Sequence, residues 1–317
     1  MTMLETGRMV GVSSAVLGAL ALSFAAQAAP VDCAGGGQCV VSDVDGSINV
    51  VANSPAITTD GFGFNVKNAG GLSWNVNGTN ILFSQSSFYR VNGAGQESPV
   101  GGLLWSTATE DSTEKQIRIR TEDGGQGIVV DTLYTLQSAI PGRTSQVLKD
   151  VQITNTSGSA MSLNWIEFFD FDLSGVAVED DDSLTSVLHA GTRVITQGNS
   201  RIGRSVTSQW TMVTADGTVI FDQPVGYQLS AWRSNPNSGT PSLLESLLDG
   251  GVTNLGSTPD SLSGRNDYQY GVQFAVNDLA AGASLTFRNT MTAVPEPSSI
   301  ALAVLALGLM RRRSRKA

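Results

Sequence analysis

The most regular pattern in this chain is an alternation of apolar and polar side chains with a period of two, from about residue 42 to residue 292. Residues 116–120 alternate strictly, and residues 147–153 and 192–196 do so less strictly. Such alternation is typical of β-strands that bury one face. Turn-forming residues separate at least ten segments of this kind, so the pattern predicts an all-β, antiparallel β-sandwich.

Several segments carry turn chemistry between the predicted strands. Asp216-Gly217 separates strand-like residues 207–213 from 218–221 and predicts a hairpin, because Asp-Gly favours tight β-turns. Residues 269–276 and 284–291 predict a later strand pair. The sequon at Asn155 is interpreted as a turn, since Asn and Ser side chains bond to nearby backbone groups.

Helix is scarce, with one candidate at about residues 241–249. Two N-terminal caps fit this helix: Thr240 with Pro241 in the first turn, or a capping box of Ser242 and Glu245. The helix lies in a loop-rich insertion with few strand signals. A lid, a partner surface and a plain surface loop all remain open for this insertion.

The most unusual segment alternates aromatic and acidic side chains. As a strand it places Trp165 and Glu167 on one face of the sheet. Asp170 and Asp172 then share the other face, where the strand ends. Three interpretations remain open: aspartates that cap turns, a Ca²⁺ site, because hard cations bind carboxylate oxygens, and a carboxylate pair for polysaccharide cleavage. The Ca²⁺ ligands under the second interpretation are Asp170, Asp172, Asp180, Asp181 and Asp182.

The composition fits an exported β protein with many turns, with 35 glycines and 15% charged residues. The net charge of −9 argues against nucleic acid as a partner, because phosphate binding needs clustered basic residues. Cys33 and Cys39 are expected to form a small-loop disulfide in an oxidising compartment. Trp74, Trp105 and Trp232 are candidates for a sugar-binding face, although such residues are also common in cores.

No catalytic motif emerges from the sequence, so we expect no catalytic residues and no enzyme. The single histidine, His189, has no nucleophile elbow to complete a serine triad. Phosphate-binding and dinucleotide-binding glycine motifs are missing as well. Apart from Ca²⁺, the sequence predicts no cofactor.

Residues 1–28 have the pattern of a signal peptide. Arg8 gives a weakly positive start, an apolar stretch follows at residues 10–24, and Ala26 and Ala28 satisfy the small-x-small rule for cleavage after Ala28. A membrane anchor is the alternative, but the apolar stretch is short for a bilayer span.

The C-terminus combines a Pro-Glu-Pro motif, an apolar stretch at residues 300–310 and an arginine cluster, in that order. At about 1.5 Å per residue, the apolar stretch is shorter than the ~30 Å bilayer core. The arginines would stay on the cytoplasmic side of the membrane. This order resembles the sorting tail of the PEP-CTERM family. The sorting residues under this resemblance are Pro295, Glu296, Pro297, Arg311, Arg312 and Arg313.

The resemblance implies processing near Pro-Glu-Pro by exosortase, a membrane-embedded transpeptidase of Gram-negative bacteria that make extracellular polysaccharide. Residues 150–176 also resemble the β-rich bodies of PEP-CTERM proteins of unassigned function. The expected organisation is a signal peptide (1–28), a β-sandwich body (29–293) and a sorting tail (294–317), with a helix at each end. Whether the body is one β domain or two remains open.

The leading hypothesis is an exported, non-enzymatic protein of the cell surface or extracellular matrix, associated with biofilm exopolysaccharide. It would use the general secretion machinery, be held briefly in the inner membrane by its tail, and then be processed by exosortase. One alternative is a carbohydrate-binding or calcium-dependent adhesive module. The other is a polysaccharide-active enzyme.

Overall fold

The computed structural model describes a β-rich body and leaves the two ends of the chain outside the description. The described residues are 31–32, 38–43, 46–51, 58–59, 64–65, 72–76, 79–93, 95–103, 105–140, 144–174, 181–189, 192–214, 219–221, 226–231 and 242–295. The predicted signal helix and C-terminal hydrophobic helix lie outside them. Across the described ranges, the one helix falls short of the length and apolar character that a bilayer crossing needs.

The described residues form 22 strands, one α-helix and a 3-10 helix at Val100–Gly102. The strands are β1 (Val31–Asp32), β2 (Gln38–Asp43), β3 (Gly46–Val51), β4 (Thr58–Thr59), β5 (Phe64–Asn65), β6 (Leu72–Val76), β7 (Thr79–Asn80), β8 (Ser84–Val91), β9 (Ser98–Pro99), β10 (Trp105–Asp111), β11 (Gln116–Asp123), β12 (Ile128–Ile140), β13 (Thr144–Asn155), β14 (Met161–Asp170), β15 (Asp181–His189), β16 (Thr192–Asn199), β17 (Arg204–Thr214), β18 (Val219–Phe221), β19 (Gly226–Ala231), β20 (Ser261–Asn266), β21 (Tyr268–Leu279) and β22 (Ser284–Pro295). The helix α1 spans Leu243–Leu248.

These strands build three main antiparallel sheets. The large sheet has 11 strands in the order β1-β10-β11-β12-β13-β22-β17-β16-β15-β20, with β18 beside β17. The central sheet has five strands in the order β19-β21-β14-β8-β9, and the N-terminal sheet has four in the order β2-β3-β6-β7. A short pair, β4-β5, completes the described set. The predicted all-β, antiparallel sandwich is therefore confirmed.

The two strand pairs predicted from turn chemistry have different outcomes. The hairpin around Asp216-Gly217 is confirmed, because β17 pairs with β18. The late pair is wrong: β21 and β22 are both strands, but they do not pair with each other. In the central sheet β21 pairs with β14 and β19, whereas β22 lies in the large sheet between β13 and β17.

The β13–β14 connection and the β21–β22 connection are arches, and each crosses between the large sheet and the central sheet. The β13–β14 and β21–β22 arches meet at the same end of the sandwich, where the buried Asn155 joins them. Its N–H donates to the Ala283 carbonyl (2.9 Å) and its carbonyl accepts from the Gly282 N–H (2.8 Å). Its side-chain Nδ2 donates to the Leu279 carbonyl (2.8 Å). The alternation of apolar and polar residues does not reveal such crossings. A strand buries one face whichever of the two sheets it joins, so its sequence pattern is the same in both cases.

The hydrophobic core fills the space between the large and central sheets. Trp165 of β14 stacks on Phe287 of β22, with ring centroids 6.0 Å apart. Phe169 of β14 meets Trp210 of β17 edge to face at 5.9 Å. Aromatic pairs in these geometries add to the stabilisation from buried apolar area. The predicted inward face of β14 is therefore correct, and Glu167 shares it.

The other face of the central sheet is covered by α1. Leu243 and Leu247 are buried against Phe88 and Phe168 of that sheet. The helix begins with the predicted capping box, in which the Ser242 hydroxyl accepts from the N–H of Glu245 and the Glu245 carboxylate accepts from the N–H of Ser242. The insertion therefore contributes to the core here and is not a plain surface loop.

Candidate functional site

Three aspartates come together where β14 ends. Asp170 is the last residue of β14, Asp172 follows it, and Asp267 is the single residue between β20 and β21. One carboxylate oxygen from each lies within 4.8 Å of the other two. Asp170 and Asp172 are buried, and Asp267 is half-buried. We call these three residues the aspartate cluster.

The cluster contains two of the five predicted Ca²⁺ ligands and one residue that the sequence did not indicate. Asp180 and the side chains of Asp181 and Asp182 lie outside the described residues. Asp267 was missed because it stands alone in the sequence. The pairing of Asp170 with Gln269, two residues after Asp267, brings Asp267 close to the end of β14, and a periodic pattern contains no trace of that register.

Gln197 of β16 fixes the two segments that carry the cluster. Its Nε2 donates to the Phe171 carbonyl (2.7 Å) and to the Tyr268 carbonyl (3.2 Å). Phe171 lies between Asp170 and Asp172, and Tyr268 follows Asp267. A single buried amide from the large sheet therefore holds the cluster's backbone in place.

A second polar group lies between the sheets, where Lys149 of β13 pairs with Glu167 of β14. Lys149 Nζ is 2.6 Å from Glu167 Oε2, and the two side chains are 1% and 2% exposed. The carboxylate also accepts hydrogen bonds from Gln85 Nε2 (2.9 Å), Ser87 Oγ (2.9 Å) and Trp165 Nε1 (2.8 Å). Both carboxylate oxygens of Glu167 thus accept hydrogen bonds in the interior. The Lys149–Glu167 pair therefore links the large sheet to the central sheet.

Burial shifts the titration of the groups around this pair. It lowers the pKa of Lys149, and the nearby Glu167 charge opposes that shift. Burial raises the pKa of Tyr134, and the Glu167 charge adds to the rise. Desolvation penalises the charged form in both cases, which is why a base and an acid shift in opposite directions. The pair is closed to solvent, and its geometry fits a structural role.

A cleft lies at the end of the sandwich where the two arches meet. Its walls are the β11–β12 turn at residues 124–127, residues 156, 157 and 159 of the β13–β14 arch, and residues 91–92 at the end of β8. Its volume is about 350 Å³. Its polar side chains are Asn92, Gln126, Thr156, Ser157 and Ser159, and its apolar ones are Val91 and Met161.

The β11–β12 wall of the cleft is shaped by Asp123. One carboxylate oxygen accepts from the N–H groups of Gly125 (3.0 Å) and Gln126 (3.1 Å), and the other accepts from the Tyr89 hydroxyl (2.5 Å). Burial, together with this carboxylate, raises the pKa of Tyr89. Asp123 is therefore committed to holding the turn.

The two larger walls touch at Gly127. Its φ is +68°, and a Cβ there would lie 2.7 Å from the Ser157 Cβ. The Thr156 N–H donates to the Gly127 carbonyl (2.8 Å). Asn155 Oδ1 accepts from the Ser157 N–H (2.9 Å), which confirms the turn interpretation of this sequon. Glycine is needed here both for the left-handed backbone and for the close approach.

The other predicted residues lie away from the cleft or outside the description. Trp74 is fully buried and donates to Ser145 Oγ (3.0 Å), so it is a core residue and cannot stack on a sugar. Cys39 is buried and disulfide-bonded. Pro295 is the last residue of β22, opposite Arg204 of β17. The predicted residues outside the description are Ala26, Ala28, Cys33, Trp232, Glu296, Pro297, Arg311, Arg312 and Arg313.

No family model and no curated protein sequence matches the chain. Among solved structures, a bacterial glucoamylase complexed with acarbose matches with a TM-score of 0.50 and 11% identity, over 88% of this chain and 35% of that one. The chain thus spans about a third of that protein's length. A polysaccharide lyase matches at 0.42 with 8% identity, over 81% and 33%. An aldose 1-epimerase homologue from Escherichia coli K12 matches at 0.41 with 10% identity, over 81% and 98%.

At these identities the similarity establishes the fold alone. It nevertheless corrects the leading hypothesis of a non-enzymatic surface or matrix protein, which the sequence tail had suggested. The structure that matches with a TM-score of 0.50 is that of a bacterial glucoamylase complexed with acarbose. The comparison therefore favours the alternatives that involve carbohydrate.

Proposed function

We propose that the protein binds a neutral saccharide in the cleft between residues 91–92, 124–127, 156–157 and 159. The observation that carries this proposal is the chemistry of the lining: hydroxyl and amide side chains, glycine backbone and two apolar residues, none of them ionisable. Hydroxyl and amide groups both donate and accept hydrogen bonds, as sugar hydroxyls do. Val91 and Met161 offer apolar surface to the C–H groups of a pyranose ring.

The size of the cleft limits what it can hold. Its volume of about 350 Å³ lies at the small end of ligand pockets, which span roughly 300–1,000 Å³. One or two sugar units fit such a space. With a few hydrogen bonds contributing about 1 kcal/mol each, we expect a Kd on the order of 0.1–1 mM.

The lining supports binding better than catalysis. Glycoside hydrolysis uses two carboxylates on either side of the scissile bond. The carboxylate next to the described part of the cleft, Asp123, already accepts three hydrogen bonds. Because the similar folds include sugar-processing enzymes, the test below also measures turnover.

The experiment is a calorimetric titration of the full chain with neutral mono- and disaccharides, using two tryptophan variants. Gly124→Trp adds a large side chain to the lining of the cleft, and its Cβ would meet nothing within 4 Å. Gly158→Trp is the matched control, since Gly158 is equally open but does not line the cleft. We expect Gly124→Trp to weaken binding at least about tenfold and Gly158→Trp to leave it unchanged.

Two results would refute the proposal. One is the absence of binding for every neutral sugar at millimolar concentration; the other is equal binding by both variants. Chromatography of the sugars after incubation reports turnover, and a product would replace the binding function with an enzymatic one. Export, exosortase processing and the final location are further proposals drawn from the sequence, and the binding proposal does not depend on them.

A further inference from the structure

We infer that Asp170, Asp172 and Asp267, together with the hydroxyl of Ser84, form a calcium-binding site. The site lies at the end of β14 and is independent of the proposed sugar cleft. The sequence pointed to Asp170 and Asp172 as ligands, and the structure supplies Asp267 and Ser84 as the residues that would complete the set.

The spacing of the carboxylates suits Ca²⁺. Their oxygens lie within 4.8 Å of one another. Two ligands on opposite sides of a Ca²⁺ ion are about 4.8 Å apart, because each Ca–O distance is roughly 2.4 Å. Like charges this close in a buried setting repel each other, and a divalent cation at their centre turns that repulsion into attraction.

Ser84 gives an independent indication of a ligand. It is opposite Asp170 in the β14–β8 register, so the two side chains share the outer face of the central sheet with their Cβ atoms about 5 Å apart. Ser84 is 2% exposed, and its Oγ has no hydrogen-bond partner among the described residues. A buried hydroxyl without a partner is destabilising, and a cation beside Asp170 would supply the missing partner.

The other neighbour of Asp170 fits the same arrangement. Gln269 of β21 is opposite Asp170 on the second side and is fully buried. Its Oε1 accepts from the Leu244 N–H (3.4 Å), while its Nε2 lacks a partner within the described ranges. That amide is placed to donate to a water molecule on the ion.

The anchoring of the cluster favours calcium over magnesium. Asp170 and Asp267 are fixed by β14 and by the β20–β21 junction, and Gln197 holds the backbone beside both. Mg²⁺ requires near-octahedral ligands at about 2.0–2.1 Å, whereas Ca²⁺ accepts six to eight oxygens in irregular geometry. Three carboxylates and a hydroxyl from three segments of the chain meet the calcium requirement, with water completing the shell.

The test is a calorimetric and thermal-melt titration of the EDTA-treated full chain with Ca²⁺. We expect one saturable site with a Kd between about 10⁻⁶ and 10⁻⁴ M. At about a hundred times the Kd, Ca²⁺ should raise the Tm by about 5–10 °C. Mg²⁺ at the same concentration should give a clearly smaller rise.

Three variants locate the binding. Asp267→Asn should weaken Ca²⁺ binding about 100-fold, and Ser84→Ala about tenfold. Ser84→Ala removes no hydrogen bond to any residue that the structure describes, so its Tm in EDTA should stay within about 2 °C of the unmodified chain's. Asp278→Asn, at an exposed aspartate near the end of β21, is the matched control and should bind Ca²⁺ normally.

Several outcomes would overturn the assignment. Absence of a saturable Ca²⁺ response refutes the site. Binding that is equal in Ser84→Ala, Asp267→Asn and Asp278→Asn places calcium elsewhere on the acidic surface. An equal response to Mg²⁺ refutes the preference for calcium. If Asp267→Asn fails to fold, Ser84→Ala decides the question, because it keeps all three carboxylates.

Discussion

Replacing Lys149 with methionine probes how strongly the buried ion pair links the large and central sheets. Methionine matches the length of the lysine side chain, so the substitution removes the charge without opening a large cavity. It leaves the carboxylate of Glu167 2% exposed between the sheets. Three donors remain on that carboxylate, from Gln85, Ser87 and Trp165.

The expected loss follows from the buried position of the pair. Removing one partner of a buried pair costs about 3–5 kcal/mol, because the remaining charge has lost its neighbour in a low-dielectric interior. The three remaining donors should hold the loss near the lower end of that range. Adding Glu167→Gln removes the charge but keeps an acceptor oxygen for Trp165, so the double variant should regain at least about 1 kcal/mol.

Urea unfolding followed by tryptophan fluorescence measures these changes, since Trp74, Trp165 and Trp210 are fully buried. Arg288→Met is the matched control. Arg288 pairs with Asp150, the residue after Lys149, but its side chain is 48% exposed, so its loss should cost less than about 1 kcal/mol. The reasoning fails if Lys149→Met costs no more than this control, or if Glu167→Gln deepens its loss.

Two further predictions concern pH and the cleft. Burial raises the pKa of Tyr134 and Tyr270 above the ordinary value of 10.0, so above pH 10 the unfolded chain loses their protons while the folded chain keeps them. Stability should fall there by about 1.4 kcal/mol per pH unit for each tyrosine, and Tyr134→Phe should reduce the slope measured by urea unfolding at several pH values; an unchanged slope would contradict this. Gly127→Ala should lower the free energy of unfolding by about 2–3 kcal/mol, because of its φ of +68° and the contact with Ser157. Gly124→Ala, the control in the same assay, should be within about 0.5 kcal/mol of the unmodified chain. Equal losses in the two variants would show that the close approach at Gly127 is unimportant.

Local features of the fold could be predicted from the sequence because they depend on neighbouring residues. The alternation in β14 correctly places Trp165 inside and Asp170 on the opposite face. The capping box of Ser242 and Glu245 begins α1 as predicted, since all of its atoms lie within one helical turn. In each case the information needed is contained in a few consecutive residues.

Partner choice and the candidate sites were beyond that local information. Periodicity shows that β21 has a buried face but does not show which sheet supplies the partner, so the late strand pair was predicted wrongly. Asp267 and Ser84 have no local signal, because register alone brings them beside Asp170. The cleft combines three turns that are remote in sequence. The C-terminal motif carries information about where a chain is sent and none about what the sandwich body binds. The hypothesis of a non-enzymatic surface or matrix protein was based on that motif and was wrong.

The position of β22 within the large sheet has a consequence for folding during synthesis. This strand, the last that the structure describes, lies between β13 and β17, and the pair Arg288–Asp150 spans 138 residues of sequence. Until residues 284–295 leave the ribosome, the strands on the two sides of β22 in the sheet form separate fragments. One fragment ends in β13 and the other in β17, and each of these edges is unpaired. Exposed edges of this kind promote aggregation. We therefore expect chains that stop before residue 284 to aggregate, and longer chains to complete the sandwich only after residues 284–295 have been synthesised.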